Sequence, residues 1–308
     1  IQSISERTGG DIYLGVVGAV RTGKSRFLKK FIENLVVPNI EDEYERKRCL
    51  DEIPQTAQGK TIMTIEPKFV PSTAAKIKVE EFETNIKLVD CVGYVIPAAK
   101  GYEDEMGEPR MVKTPWYDED IPFVEAAEIG TEKVIRDHST IGIVVTTDGS
   151  IGDITRNNYI EAENEVISEL KEIGKPFIVL LNSAHPTLPE TERLAEKLKE
   201  EHNVPVIPIS AETMNEKDVY NILKEALYEF PVLNVKVDIP DWIGTLNPNH
   251  PIKKVYIDQI RECVVEVDKL RDIDSINKHF KKCDQIENAY MSNVDQAKGE
   301  VTKTLNHP

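Results

Sequence analysis

Cysteine is scarce in this chain. Cys49, Cys91, Cys263 and Cys283 are the only four in 308 residues, with no C-x-x-C spacing and no histidine cluster beside them. Neither a zinc ribbon nor a disulfide framework is indicated, and reduced thiols in a cytosol are expected. Positive charge is also short, with 38 basic residues against 54 acidic ones and a net charge of −16. Basic residues gather only in short mixed clusters such as Arg46-Lys47-Arg48. That argues against nucleic acid as a main partner and makes the acidic excess a solvated surface. No apolar run approaches the roughly 20 residues needed to span a bilayer, and the first residues lack a signal-peptide pattern. His138, His202, His250 and His279 have no metal-ligand company. The chain opens on Ile1 and ends without a helix stop, which is expected of a fragment of a longer protein.

Against these absences stands one dense motif. Gly18-Ala19-Val20-Arg21-Thr22-Gly23-Lys24-Ser25 fits G-x-x-x-x-G-K-[ST], a loop whose glycines let backbone N–H groups turn inward onto phosphates. Lys24 can reach the β- and γ-phosphates, and the Ser25 hydroxyl can ligate Mg²⁺. Upstream, the run from Ile12 to Val17 has strand character. Downstream, Phe27, Leu28, Phe31, Ile32 and Leu35 fall at helical spacing. The loop therefore lies between a strand and a helix N-terminus, which adds its own free N–H groups to the anion site.

Beyond a charged stretch from Glu41 to Lys60, Ile77 and Val79 alternate with polar residues, as do Ile86, Leu88 and Asp90. The short link Glu83-Thr84-Asn85 predicts a hairpin and hence antiparallel pairing. Strands at 141–147, 177–181 and 204–209 then alternate with helices at 159–173, 193–202 and 218–230. The fold class is α/β: a P-loop NTPase with a doubly wound, mostly parallel sheet and one antiparallel edge strand, followed by a smaller, mainly helical region. Residues 1–240 are expected to form the nucleotide domain and 241–308 the start of the second region, after a linker rich in Pro, Asn and Gly. The segment from Val95 to Ser139, with its aromatics and prolines, reads as a packed excursion.

Hydrolysis needs the metal held and the γ-phosphate sensed. Asp90-Cys91-Val92-Gly93 closes a hydrophobic strand as D-x-x-G, which lets Asp90 hold Mg²⁺ through water while the Gly93 N–H faces the γ-phosphate. A hydroxyl must close over the metal from the intervening segment, and Thr64 is chosen over its rival Thr61. Gly18 to Ser25, with Arg26 behind them and Asn182 at the far strand end, are the candidate nucleotide contacts. Lys24, Thr64 and Asp90 are the candidate catalytic groups, and Ser25, Thr64 and Asp90 the metal ligands. A guanine-reading chain would carry N-K-x-D where this one has Asn182-Ser183-Ala184-His185. Ser183 offers no aliphatic stem and His185 no carboxylate, so adenine or loose base selection is expected. Ser210-Ala211-Glu212 resembles a further loop of such base pockets. Tyr94 stands where a water-orienting Gln is often found, so slow turnover is expected. Arg110 and Arg136 are candidates for a charge-stabilising arginine.

With these residues assembled, the chain resembles the stage IV sporulation protein A family of spore-coat morphogenetic ATPases. The resemblance is carried by the string from Glu6 to Ser25, by Gly59-Lys60-Thr61-Ile62-Met63-Thr64, by Leu88-Val89-Asp90-Cys91-Val92-Gly93-Tyr94 and by Ala226-Leu227-Tyr228-Glu229-Phe230-Pro231-Val232-Leu233. It implies a fold of the translation-factor-related GTPase class that has turned to ATP and Mg²⁺. It further implies hydrolysis that drives a homo-polymer into a basement layer on the outer forespore surface, within the mother-cell cytosol. The implied partners are the protein itself, a small amphipathic membrane peptide and other spore-coat morphogenetic proteins. The family's phosphate-loop lysine falls on Lys24, its strand-end aspartate on Asp90 and one sensor threonine on Thr64. Where relatives pair two threonines, this chain has Thr64-Ile65, so sensing would rest on Thr64 alone. The family's C-terminal region, linked with membrane localisation and assembly, is expected to lie beyond Pro308. The alternatives are a regulatory GTPase switch and a nucleotide-binding scaffold without turnover.

Overall fold

The structure, a computed structural model, describes residues 11–53, 67–79, 82–99, 101–103, 107–265, 267–273, 288–295 and 299–306. Among these, residues 11–77 and 84–226 group into one compact unit, and residues 78–83 with those from 227 onward group into another.

The larger unit runs β1 (Ile12–Val17), α1 (Lys24–Phe31), α2 (Glu43–Glu52), β2 (Lys68–Val79), β3 (Phe82–Asp90), β4 (Met111–Val112), β5 (Ile121–Pro122), α3 (Phe123–Lys133), β6 (Ile141–Thr147), α4 (Ile160–Glu172), β7 (Phe177–Asn182), α5 (Pro189–His202), β8 (Val206–Ile209) and α6 (Glu216–Tyr228). Its sheet has the order β2-β3-β1-β6-β7-β8, and β1, β3, β6, β7 and β8 pair in parallel. β6 and β7 are buried at every position, which is what a β-branched run in a strand covered on both faces requires. Leu14 illustrates the packing: it pairs with Leu88 on one side and Ile141 on the other and has no exposed surface.

α1 turns Phe27, Leu28 and Phe31 inward, and the two phenyl rings meet edge to face at 5.7 Å. Each such burial contributes about 1.5–3 kcal/mol, and Phe31→Ala would cost about 3–5 kcal/mol through the cavity it leaves. The chain does not continue as a plain α-helix to Leu35, since Ile32–Val36 winds as a π-turn that still buries Ile32, Leu35 and Val36.

The expected hairpin is present, with its turn elsewhere. β3 begins at Phe82, so Glu83-Thr84-Asn85 lies within the strand and only residues 80 and 81 separate it from β2. Thr84, Ile86 and Leu88 are all buried, so Thr84 extends the period-2 apolar face one step earlier than its hydroxyl suggests. The link is too short for anything but an antiparallel edge. The excursion from Val95 packs as anticipated. Phe123, Ala126 and Ala127 form a small core with Val92, Val95, Tyr102, Val112, Trp116 and Ile121 around it.

The second unit carries β9 (Asn234–Asp238), α7 (Asp241–Thr245), α8 (Pro251–Val264), β10 (Asn288–Asp295) and β11 (Glu300–Asn306). The mainly helical expectation for residues 241–308 misses β10 and β11, which join β9 in a three-stranded sheet of order β10-β11-β9, with β11 parallel to β9 and antiparallel to β10. Val301, Lys303 and Leu305 bury one face of β11, and the charged residue between two apolar ones hides the alternation from a reading of hydrophobicity. In the same unit Glu229 is 2% exposed, and its carboxylate accepts from Lys269 Nζ at 2.5 Å and Arg271 Nε at 2.6 Å. No helix among the described residues is long and apolar enough to cross a membrane.

Candidate functional site

The loop after β1 is built from its special dihedrals. Gly18 sits at φ 138°, Arg21 at 65° and Gly23 at 93°. A Cβ on Gly18 would come 2.3 Å from the Val145 carbonyl, and one on Gly23 2.3 Å from the Asn182 amide nitrogen. Only glycine fits those two places. Three of the loop carbonyls are engaged by side chains. Ala19 O accepts from Thr22 Oγ1 at 2.9 Å, Arg21 O from the Tyr159 hydroxyl at 3.4 Å, and Thr22 O from Asn182 Nδ2 at 3.0 Å. Gly23 caps α1 in the left-handed conformation with no side-chain acceptor, and the first turn carries no acidic residue. The helix therefore opens on uncapped N–H groups suited to an anion.

Lys24, Asp90 and Gly93 come together over this loop. Lys24 is 6% exposed, and its Nζ donates to Ala19 O at 2.6 Å and Gly18 O at 3.2 Å. Burial pushes its pKa down, opposed by the nearby Cys91 and Asp90. Asp90 ends β3, next to β1 in the sheet, and burial raises its pKa to about 6 against the pull of Lys24. Its Oδ1 is buried and has no hydrogen-bond partner among the described residues. Gly93, at φ 92°, lies so close that a Cβ would stand 2.2 Å from Gly18 O and 2.4 Å from Lys24 Nζ. Cys91 faces the core, donating to Val16 O at 3.3 Å.

On the other side of the loop, Asn182 closes β7. Its Nδ2 holds Thr22 O and its Oδ1 accepts from Ala211 N at 3.0 Å, so this buried amide ties the phosphate loop to the segment after β8. Ser183 is fully buried, with its hydroxyl 3.3 Å from that of Ser150 and accepting from His185 N at 2.9 Å. Asp148 gathers Ser150 and Thr191. Despite burial, hydrogen bonds from Ser150, Ser183 and Thr191 hold its carboxyl below the usual range. Arg26 pairs with Glu212.

Ser25 follows Lys24 in the first turn of α1. Thr64 and its rival Thr61 lie outside the described residues. The two candidate arginines are engaged elsewhere. Arg110 stacks on Phe123, 5.5 Å from the ring centroid. Arg136 pairs with Glu132 and Glu169 just before β6 begins, at the N-terminal end of a strand parallel to β1, whereas the phosphate loop follows the C-terminal end of β1. A third arginine, which no sequence motif singles out, braces the strand ends. Arg156 makes a bidentate pair with Glu163 at 2.6 Å and also donates to Thr146 Oγ1 and Thr147 O, bracing the end of β6. Its i, i+7 spacing to Glu163 across a helix start was the available signal.

Comparison with known proteins gives the family. The family model for the stage IV sporulation protein A ATPase domain matches residues 1–231, and the model for the middle domain of the same family matches residues 232–308. Curated stage IV sporulation protein A sequences from Bacillus anthracis and Bacillus subtilis (strain 168) are each 56% identical over 299 residues, covering 97% of this chain and 61% of the relative. The Clostridioides difficile (strain 630) sequence is 46% identical over 305 residues, covering 99% of this chain and 62% of the relative. This chain thus spans about three fifths of the length of the relatives it matches. By both family models, and by a phosphate loop set beside a strand-end aspartate in a mostly parallel sheet, the chain belongs to the stage IV sporulation protein A family.

Proposed function

We propose that this chain is the nucleotide-hydrolysing part of an Mg²⁺-dependent ATPase whose turnover drives self-assembly of a spore-coat morphogenetic protein. The observation that carries this reading is the convergence of Lys24, Asp90 and Gly93 on one glycine-shaped loop. The residues present fit a metal nucleotide. A buried carboxylate oxygen lacks a partner among the described residues, and a helix opens uncapped beside it. Ser25 and Asp90 would hold Mg²⁺, with Thr64 the third expected ligand, and the metal would neutralise charge on the β- and γ-phosphates. Lys24 gives up the carbonyls of Gly18 and Ala19 to meet phosphate oxygens, and that charge compensates for its own burial. The Gly93 N–H marks the γ end, because β3 lies on that side of β1. The base then falls toward β7 and β8, near Asn182 to His185 and Ser210 to Glu212. There Ser183 is tied to Ser150, and no carboxylate stands in sequence where guanine would need one, which supports adenine.

Partners follow from the family resemblance: the protein itself, a small amphipathic membrane peptide and other coat proteins at the forespore surface, in the mother-cell cytosol. Phosphate release measured in parallel with ATP and GTP, for wild type and Lys24→Ala, tests the proposal. ATP turnover that Lys24→Ala abolishes is the expected result. A preference for GTP overturns the adenine assignment, and tight binding without turnover favours a scaffold.

A further inference from the structure

Tyr94 occupies the position after the D-x-x-G glycine, yet its side chain leaves the phosphate loop altogether. It is 5% exposed and sits in the core with Val89, Ile96, Ile135 and Val166. Its hydroxyl donates to Glu169 Oε2 at 2.7 Å, near the C-terminal end of α4. Burial and the neighbouring carboxylate push the phenol pKa up, so it stays a donor. Glu169 Oε1 stands 3.4 Å from Arg136 Nε, and Arg136 also holds Glu132 at 2.8 Å.

The backbone of the same residue is sewn to the phosphate loop. Tyr94 N donates to Gly18 O at 3.2 Å and Tyr94 O accepts from Val20 N at 2.8 Å, forming a parallel bridge at Ala19. One residue earlier, Gly93 rests against Gly18 O and Lys24 Nζ. A segment fixed at its backbone by the loop and at its side chain by a helix cannot drift by an ångström without breaking a buried bond.

We propose that Tyr94 is a positioning residue for hydrolysis: anchored by Glu169, it holds the Gly93 backbone against the phosphate loop and Lys24, and it does not orient the attacking water. This rests on the ATPase reading above. The anchor makes the γ-phosphate end of the site preformed, and the Gly93 backbone keeps one geometry beside the developing charge. Nothing in this scheme places Tyr94 in contact with nucleotide, so ground-state binding stays with the loop itself.

Tyr94→Phe in the full-length protein removes the hydroxyl and keeps the ring. It is expected to lower kcat for ATP about tenfold while KM stays within about twofold, since the loss is of geometry at the γ end. Glu169→Ala should match it, Glu169→Gln, which still accepts, should restore most of the rate, and the Tyr94→Phe/Glu169→Ala double variant should add no further loss. Hydrogen exchange at the Val20 and Tyr94 amides should quicken in Tyr94→Phe and Glu169→Ala alike. Wild-type kcat in both single variants, or a double variant whose losses multiply, overturns the proposal. If wild type releases no phosphate, the ATPase reading fails instead, and the exchange rates at Val20 and Tyr94 still decide whether the anchor exists. Should Tyr94→Phe not fold, the Glu169 pair carries the same comparison.

Discussion

The Asn182 amide donates to the Thr22 carbonyl at 3.0 Å across 160 positions of sequence, and its other end accepts from the Ala211 N–H. One buried side chain thus spaces the phosphate loop from the segment after β8. Asn182→Ala leaves the Thr22 carbonyl and the Ala211 N–H without this partner and is expected to cost about 1–3 kcal/mol. Asn182→Asp keeps an acceptor for Ala211 but faces Thr22 O with a second acceptor, and should cost at least as much. Urea unfolding of both variants, read beside nucleotide affinity, checks the ranking.

Gly93 cannot be replaced. At φ 92°, an alanine Cβ would collide with Gly18 O and with Lys24 Nζ, and the Gly18 backbone cannot yield even where the lysine amine swings aside. Gly93→Ala is expected to lose about 1–3 kcal/mol of stability and to lower ATP turnover by on the order of 100-fold. Steady-state phosphate release with a thermal melt on the same sample separates the two effects.

Asp90 gives a pH signature. Burial raises its pKa to about 6 from an ordinary 3.8, so between those values the folded state keeps a proton that the unfolded chain releases. Stability from this group is therefore full below about pH 4 and is lost as pH rises to about 6. Asp90→Asn mimics the protonated form. Without nucleotide it should melt higher than wild type above pH 6, by about 1–3 kcal/mol, with the difference vanishing near pH 4, while its ATP turnover is lost. A melt series across that range shows whether the gap closes.

Arg156 and Glu163 test the end of β6. Glu163 is 2% exposed in its side chain and Arg156 17%, so Arg156→Met strands a buried carboxylate and should cost about 3–5 kcal/mol. Replacing both partners by apolar residues of similar volume should recover most of that. Denaturant unfolding of the single and double variants decides it.

Sequence alone determined the chemistry of short segments. The spacing from Gly18 to Ser25, the strand before and the helix after it, and Asp90 at a strand end are local patterns, because backbone curvature and side-chain periodicity act over a few residues. Strand and helix alternation and the antiparallel edge followed from the same short-range rules, as did the replacement of N-K-x-D by Asn182-Ser183-Ala184-His185. Only the tertiary structure decided which distant groups meet. The sheet order sets Asn182 on Thr22, the packing turns Tyr94 away to Glu169, and Arg136 is left at the strand ends remote from the loop, paired with Glu169. It also buries Lys303 on a strand face that hydrophobicity could not reveal. Each of these contacts joins residues brought together by strand pairing and helix packing, and no window of sequence contains both partners' surroundings.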